Sequence, residues 1–160
     1  MRVIQFNKPQ NENGYLSNSY PCSFKFNKLY FSSVEQFIAY QKALAFNDQY
    51  RCEKIMQCDD IKQLAQYSKG ITNFNDKVWN GMVQSVVYRG CLLKFQQNAE
   101  LAEKLLATGN NVIALCDKME KVWGNGLNPE DSRNFSIDKW QGTNLTGFIL
   151  MQVRSAITKG

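Results

Sequence analysis

Glu35, Ala39 and Lys42 are spaced so that a helix would place all three on one face. At about 1.5 Å per residue, Glu35 and Lys42 would lie about 10.5 Å apart along the helix axis. The small Ala39 between them would leave room for a ligand that spans an acid and an amine. A solvated charged face is the alternative interpretation of the same spacing. Gln41 lies near the apolar stripe of this helix, so we expect it to be half-buried and to need hydrogen-bond partners.

The segment Trp123-Gly124-Asn125-Gly126 is a second candidate for chemistry. Two glycines around an asparagine suit positive φ angles, and amide groups in such a turn can point together and hold an anion. A tight turn with a packed tryptophan is the alternative. The segment is neither a Rossmann fingerprint nor a P-loop, because the third glycine and the Gly-Lys-Ser/Thr sequence are missing. For Trp79, core packing is the default and a stacking platform is the alternative.

The composition excludes several kinds of catalytic site. The chain has no histidine, so histidine-dependent triads, HExxH metal sites and histidine general bases are all ruled out. The cysteines are odd in number and form no CxxC pair, so we expect reduced, mostly buried thiols, no metal site and no cofactor. These cysteines are Cys22, Cys52, Cys58, Cys91 and Cys116. The net charge of +5 permits polyanionic partners without requiring them.

The elements that position these residues are predicted from hydrophobic periodicity. The 160 residues suit one domain over 1–160, with an α+β fold that is rich in helices and has a few short strands. Glu35 and Gln36 are placed to complete a capping box at the start of the first helix. We expect a cytosolic protein, because neither a membrane span nor a signal-peptide core is present. The predicted elements are a strand at Arg2–Phe6, a hairpin over Cys22–Phe31, a helix capped by Ser32 or Ser33, helices over Asp48–Gln57 and Asp59–Tyr67, a long helix from Asp76, a helix over Ala99–Thr108, a strand at Val112–Leu115 and a last helix capped by Asn144.

Five motifs follow one another between Leu16 and Arg154. They are Ser17-Asn18-x-Tyr20-Pro21, Ser33-Val34-Glu35 with Gln41-Lys42, Lys94-Phe95-x-Gln97-Asn98 continuing to Leu105-Leu106-Ala107-Thr108-Gly109, Trp123-Gly124-x-Gly126, and Gly142-x-Asn144-x-x-Gly147 with Leu150-Met151-x-x-Arg154. Together these motifs resemble the NADAR family, the YbiA-like N-glycosidases. Three positions depart from the family pattern, since Gln36 replaces a histidine, Leu115 a glutamate and Glu120 an aspartate.

The resemblance implies an enzyme that hydrolyses the N-glycosidic bond at C1 of a ribose 5-phosphate or ADP-ribose moiety. It implies Glu35 as the carboxylate that stabilises oxocarbenium charge, and Lys42 as an amine that could instead attack the opened sugar. For the phosphate it implies the amides of 123–126 and Arg154, while Asn144 could alternatively cap its helix. The implied substrate-binding residues are Ser17, Asn18, Tyr20, Gln41, Trp79, Glu120, Trp123, Gly124, Gly126 and Asn144.

The substrate classes that the resemblance implies are ADP-ribosyl-guanine and early riboflavin intermediates. Two alternatives remain open. In one, the changes at Leu115 and Glu120 have removed turnover, and the protein is a module that binds ADP-ribose or a related nucleotide. In the other, the substrate is ADP-ribosylated DNA. The expected partners are therefore a phosphorylated ribosyl or ADP-ribosyl small molecule and, in the second alternative, DNA, with no membrane partner.

Overall fold

The structure, a computed structural model, describes residues 2–159. These residues form two compact units, one made of residues 2–20 with 99–159 and the other of Pro21–Asn98. The predicted α+β class, rich in helices, is confirmed. The expectation of one domain over 1–160 stays a prediction, and its first and last residues lie outside the described part. In chain order the elements are β1 (Val3–Phe6), β2 (Phe24–Phe26), β3 (Leu29–Phe31), α1 (Val34–Ala45), α2 (Gln49–Met56), α3 (Ile61–Lys69), α4 (Asp76–Gln96), α5 (Ala99–Ala107), β4 (Val112–Leu115) and α6 (Leu145–Lys159), with 3-10 turns at Gly14–Leu16, Ser132–Phe135 and Ile137–Lys139.

The predicted hairpin forms in the 21–98 unit as the antiparallel pair of β2 and β3. Asn27 and Lys28 both have positive φ, 49° and 68°, as a two-residue turn needs if its twist is to match that of the strands. Phe24 and Phe31 stack across the pair with ring centroids 5.6 Å apart. Both rings then meet Phe37 of α1 at 5.8 and 5.2 Å. The hairpin therefore packs against α1 through a cluster of aromatic rings.

Ser33 caps the N-terminus of α1, and Gln36 completes the cap. The Ser33 Oγ accepts the Gln36 amide at 3.1 Å, and the Gln36 Oε1 accepts the Ser32 amide at 2.7 Å. The Gln36 Nε2 donates to the carbonyls of Ile55 and Cys58, both at 3.0 Å. The capping box therefore uses Gln36 and leaves the side chain of Glu35 outside it.

Three helices of this unit pack against α1, namely α2, α3 and α4. Small side chains on α1 permit this close approach, since Ala39 and Ala43 are both buried. The core cluster that they share consists of Ala39, Ala43, Phe46, Cys52, Ile55, Leu64, Ile71 and Trp79. The predicted helices around Asp48–Gln57, Asp59–Tyr67 and Asp76 are confirmed, with ends that differ by one or two residues.

The other unit is built on β1 and β4, which pair in parallel from Val3 with Val112 to Phe6 with Leu115. The last helix packs against β4. A side chain at Gly147 would place its Cβ 2.1 Å from the Ile113 carbonyl oxygen, so only glycine permits this approach. Among residues 2–159, no helix is both long and apolar enough to cross a membrane.

Asn144 lies just before α6, but the expectation that its side chain caps this helix is wrong. Its Oδ1 accepts the Leu115 amide at 2.9 Å and its Nδ2 donates to the Ile113 carbonyl at 2.8 Å. Both polar atoms are thus taken by β4, and the residue has a φ of 55°, unlike the extended conformation of an ordinary N-cap. Asn144 therefore joins the start of α6 to the strand.

Candidate active site

The carboxylate of Glu35 and the amine of Lys42 lie in the first and last turns of α1. Both side chains are half-buried, which argues against a solvated charged face. Ala39 is buried in the core cluster, so its small side chain serves helix packing instead of leaving open space for a ligand. An acid and an amine in partly desolvated surroundings are groups whose charges act strongly on a bound substrate.

Lys42 is held by contacts from two other segments. Its Nζ donates to the backbone oxygen of Ser68 at 3.1 Å and to the Ser68 Oγ at 3.3 Å. The same atom lies 4.6 Å from the ring centroid of Phe74. Burial lowers the pKa of Lys42 below the usual lysine value, and the Asp76 carboxylate partly opposes this effect. A lowered pKa increases the share of neutral, nucleophilic amine near neutral pH.

Asp48 fixes the segment that carries Phe74. The carboxylate caps α2 through the Arg51 amide at 3.1 Å, and it also accepts the Thr72 amide at 2.9 Å. It forms an ion pair with Arg51 at 3.0 Å. Burial alone would raise the pKa of Asp48, but the hydrogen bonds from Thr72 and Arg51 lower it below the usual carboxyl value. Asp48 thus joins the start of α2 to the loop before α4.

We expect Asp48→Asn to lower the free energy of unfolding at pH 7 by about 1.5–3 kcal/mol, the usual worth of a hydrogen bond to a charged group. Because the folded pKa is lowered, this stabilisation is present above the ordinary carboxyl pKa of about 3.9 and is lost as the pH falls through the folded pKa. Urea unfolding at several pH values should therefore show a gap between parent and variant that closes in acid.

The matched control for Asp48→Asn is Asp131→Asn. Asp131 also caps a turn and pairs with an arginine, Arg133, but at the surface. We expect a smaller change in unfolding free energy there, because solvent screens an exposed pair. Equal losses at the two positions at pH 7 would contradict the role given to Asp48.

Lys94 is a buried charge to which the sequence analysis gave no role. The side chain, on α4, is only 1% exposed, and burial lowers its pKa. Burial also raises the pKa of Cys91 to about 12, with Lys94 opposing the rise and Glu35 adding to it. Lys94 and Glu35 therefore both lie within electrostatic reach of the Cys91 thiol. The available signal was a lysine inside an otherwise apolar run from Cys91 to Phe95.

Gln41 and Trp79 belong to the same unit as Glu35 and Lys42. Gln41 is half-buried, as expected. Trp79 is 8% exposed and belongs to the core cluster, which favours the packing interpretation over a stacking platform. The predicted substrate-binding roles of both residues stay predictions.

The glycine-containing segment 123–126 caps α6 with its carbonyl groups. The amides of Asn144 and Thr146 donate to the carbonyls of Gly124 and Trp123 at 2.8 and 3.0 Å. Gly126 has a φ of 75°, and a Cβ there would lie 2.8 Å from the Gln141 carbonyl carbon. These contacts favour the tight-turn interpretation.

The amides of the same turn are partly occupied, which weakens the expected anion cradle. The Asn125 amide donates to the Leu115 carbonyl at 2.8 Å, and the Leu127 amide donates to the Asn125 Oδ1 at 3.1 Å. Trp123 is half-buried and Gly124 is buried, while Glu120 is exposed. Binding of a substrate by these residues stays a prediction.

The loop that carries Ser17, Asn18 and Tyr20 belongs to the same unit as Trp123. Ser17 is buried, and its Oγ accepts the Ser19 amide at 3.2 Å, while its carbonyl accepts the Tyr20 amide at 3.1 Å. Asn18 and Tyr20 are half-buried. The loop is thus an ordered turn, in which substrate contacts remain predictions.

Arg154, the other expected phosphate donor, binds backbone and side-chain groups of its own unit. Its Nη1 donates to the Thr108 Oγ1 at 2.7 Å and to the Asn111 carbonyl at 2.9 Å. These bonds tie α6 to the turn between α5 and β4. The Arg154 guanidinium therefore has a structural role in the fold.

A cationic groove of about 480 Å³ opens next to the glycine turn. Lys118, Lys121 and Arg133 line it, and Asp131 accepts two side-chain bonds from Arg133 at 3.0 and 2.7 Å. This charge distribution favours anions.

The five cysteines are free, and within residues 2–159 no three His, Cys, Asp or Glu side chains are grouped so that they could hold a metal ion.

Comparison with known proteins places this fold and this candidate site in the class of the N-glycosidases, which are hydrolases that act on N-glycosyl bonds. A family model described as the NADAR domain matches residues 5–158 and so spans both compact units. The chain belongs to the NADAR family, which confirms the resemblance drawn from its motifs.

Several relatives carry names that fit this class. N-glycosidase R617 of Acanthamoeba polyphaga mimivirus is 37% identical over 122 residues, which cover 76% of this chain and 72% of the relative. N-glycosidase YbiA of Shigella boydii is 24% identical, and the match covers 97% of this chain and 88% of the relative. Riboflavin biosynthesis protein VVA0006 of Vibrio vulnificus is 29% identical over 96% of this chain but only 38% of its own length. The NMR structure of Escherichia coli YbiA matches with a TM-score of 0.80 at 23% identity, covering 98% of this chain and 85% of that one, which shows the shared fold.

Proposed function

We propose that this NADAR protein hydrolyses the N-glycosidic bond at C1 of a ribose that carries a 5-phosphate or belongs to ADP-ribose. The observation that carries the proposal is the pair of half-buried groups on α1, the Glu35 carboxylate and the Lys42 amine. Membership of a family with relatives named N-glycosidase supports the reaction class.

In the proposed reaction, Glu35 acts on the charge that develops at C1. The C1–N electron pair leaves with the base nitrogen, which takes up a proton, and water adds to C1. The positive charge that builds on C1 and the ring oxygen is stabilised by the half-buried carboxylate. The same carboxylate can orient the attacking water and accept its proton.

Lys42 offers a covalent route to the same products. The neutral Nζ adds to C1, the C1–N pair leaves with the protonated base, the ring oxygen takes a proton as the sugar opens, and an iminium forms between Nζ and C1. Water then adds to C1 and releases the amine. The lowered pKa of Lys42, caused mainly by burial, supports this route. Reduction with borohydride would trap the iminium as a ribosyl adduct on Lys42.

The substrate class is proposed from two sources. A relative is named a riboflavin biosynthesis protein, which supports a phosphorylated riboflavin intermediate. ADP-ribosyl-guanine fits the same bond and the same phosphorylated ribose.

The five free thiols favour a reducing compartment, so we propose a cytoplasmic location.

Mass spectrometry of a substrate panel tests the proposal. The panel contains ADP-ribosylated guanosine, ADP-ribosylated DNA and riboflavin intermediates, each incubated with the protein. We expect one class to lose its base and to gain one water at C1. If every member is returned intact, the hydrolase proposal is wrong. Retention of an intact nucleotide by the protein would then favour the binding module, an alternative that rests on the exposed Glu120 and on Leu115.

ADP-ribosylated DNA is the second candidate, and the cationic groove at Lys118, Lys121 and Arg133 favours it. Phosphate contacts make affinity fall steeply with salt. We therefore propose that cleavage of the DNA substrate, unlike that of the free nucleoside, weakens with salt and with Lys121→Glu. Equal salt dependence for both substrates would argue against DNA.

A further inference from the structure

The Lys42 amine lies against the face of an aromatic ring that stands partly in solvent. Phe74 is 40% exposed, and its ring centroid is 4.6 Å from the Lys42 Nζ. Phe46 meets the same ring edge-on, at 5.1 Å and 70°. Phe46 and Lys42 thus contact the Phe74 ring in different geometries. Phe46 forms a T-shaped aromatic pair with it, whereas the Lys42 amine lies over the face of the ring.

The segment between α3 and α4 is anchored on both sides of Phe74. Before the ring, the Thr72 amide donates to the Asp48 Oδ2 at 2.9 Å. After it, the Asn75 Oδ1 accepts the Val78 amide at 3.1 Å and caps α4. Asn73 takes a φ of 57°, a conformation that asparagine adopts more easily than most residues. These anchors hold the ring in place over the amine.

The contacts of Lys42 with Ser68 and with Phe74 differ in how far they select a charge state. The Ser68 backbone oxygen can accept a bond from an ammonium or from a neutral amine, since both carry N–H groups. The Ser68 hydroxyl can accept a bond from an ammonium or donate one to the lone pair of a neutral amine. An aromatic face attracts only the cation. We propose that Phe74 is a positioning residue, whose ring holds the Lys42 amine in place as an ammonium ion and so limits how much of it is neutral.

Other charges near Lys42 must be considered with the ring. Among the charged groups on the helices packed against α1, the Asp76 carboxylate acts on the Lys42 amine and also favours the ammonium ion. Lys69, beside Ser68, and Lys77, beside Asp76, are exposed. Arg51 is paired with Asp48. Phe74 and Asp76 therefore oppose burial, which favours the neutral amine.

The catalytic consequence rests on the proposed function, whereas the effect of the ring on the amine does not. If neutral Lys42 is the nucleophile, loss of the ring should move the rising, acidic-side limb of the pH–rate profile, on which the amine loses its proton, to lower pH. The pKa of the amine should change whether or not the protein is an N-glycosidase. The two claims can therefore be tested apart.

The test is an NMR titration of the Lys42 ε-methylene, assigned by its loss in Lys42→Arg. Phe74→Leu should lower the pKa of Lys42 by about half a unit, the worth of an exposed cation–π contact. That shift raises the neutral fraction of Lys42 about threefold at any pH below the pKa values of both parent and variant. Phe74→Tyr keeps a ring and should stay within about 0.2 unit of the parent. Tyr30→Leu removes an exposed ring that contacts Lys25 and should leave Lys42 unchanged.

An unchanged or raised pKa in Phe74→Leu would overturn the inference. Melting temperatures identify a variant that does not fold, and Phe74→Met then gives the same test. If the pKa falls as expected but the pH–rate profile does not move, the effect of Phe74 stands and the nucleophilic role of Lys42 is wrong.

Discussion

Glu35→Gln is expected to slow single-turnover hydrolysis about a hundred- to a thousandfold, or about 3–4 kcal/mol in the barrier. Glutamine is nearly isosteric and can still accept a hydrogen bond from a ribose hydroxyl. It lacks the negative charge that opposes the oxocarbenium ion, and it cannot take a proton from water. Substrate affinity should therefore change little while the rate falls. Rapid-quench kinetics and a binding isotherm on the same variant measure both quantities.

Stability separates this role of Glu35 from a purely structural one. The capping box at Ser33 is completed by Gln36, so Glu35→Gln should alter the melting temperature only slightly. Glu100→Gln is the matched control, because Glu100 is an exposed acid in the first turn of α5. That variant should keep the parent rate. If Glu35→Gln also stays within about threefold of the parent, less than 1 kcal/mol, Glu35 is not the catalytic carboxylate.

Trp79→Ala is expected to lower the free energy of unfolding by about 3–5 kcal/mol, the usual cost of removing a large buried aromatic side chain. Trp79 belongs to the core cluster in which α1 meets its neighbouring helices, so its loss would leave a cavity there. Chemical denaturation measures the change. Phe135→Ala, at a residue that is 66% exposed, is the control and should cost far less. Unchanged stability together with weakened nucleotide binding would show that Trp79 stacks on a ligand instead.

The features predicted correctly from sequence depend on neighbouring residues. The hairpin follows from aromatics that alternate around Asn27 and Lys28, two residues that take positive φ. The start of α1 follows from Ser33 and Gln36, three residues apart. The burial of Trp79 follows from the apolar pairs Val78-Trp79, Met82-Val83 and Val86-Val87, which recur every four residues along α4. Each of these signals lies within a few residues of the feature that it predicts.

The features missed depend on contacts between distant parts of the chain. Asn144 precedes a helix and looks like its cap, yet β4 takes both polar atoms of its side chain. From the sequence, Lys94 is expected to be an ordinary surface charge, but the fold buries it. Neither of these outcomes is encoded in local spacing.

The candidate site was predicted in part. The placement of Glu35 and Lys42 on one helix follows directly from their spacing. The surroundings of the amine, Ser68 and Phe74, come from the end of α3 and the loop before α4, which share no motif with α1. Periodicity identifies residues on one face of one helix, but it does not identify what another segment places against that face.

Time-resolved mass spectrometry of a single turnover shows directly whether Glu35 is the catalytic carboxylate. The parent, Glu35→Gln and Lys42→Met proteins are compared side by side, each in excess over one N-glycosidic substrate of the panel. We expect the parent to release free base and a hydrated ribosyl product in equal amounts, while Glu35→Gln holds intact substrate over the same interval. Release of base by Glu35→Gln at the parent rate would show that Glu35 does not carry the reaction.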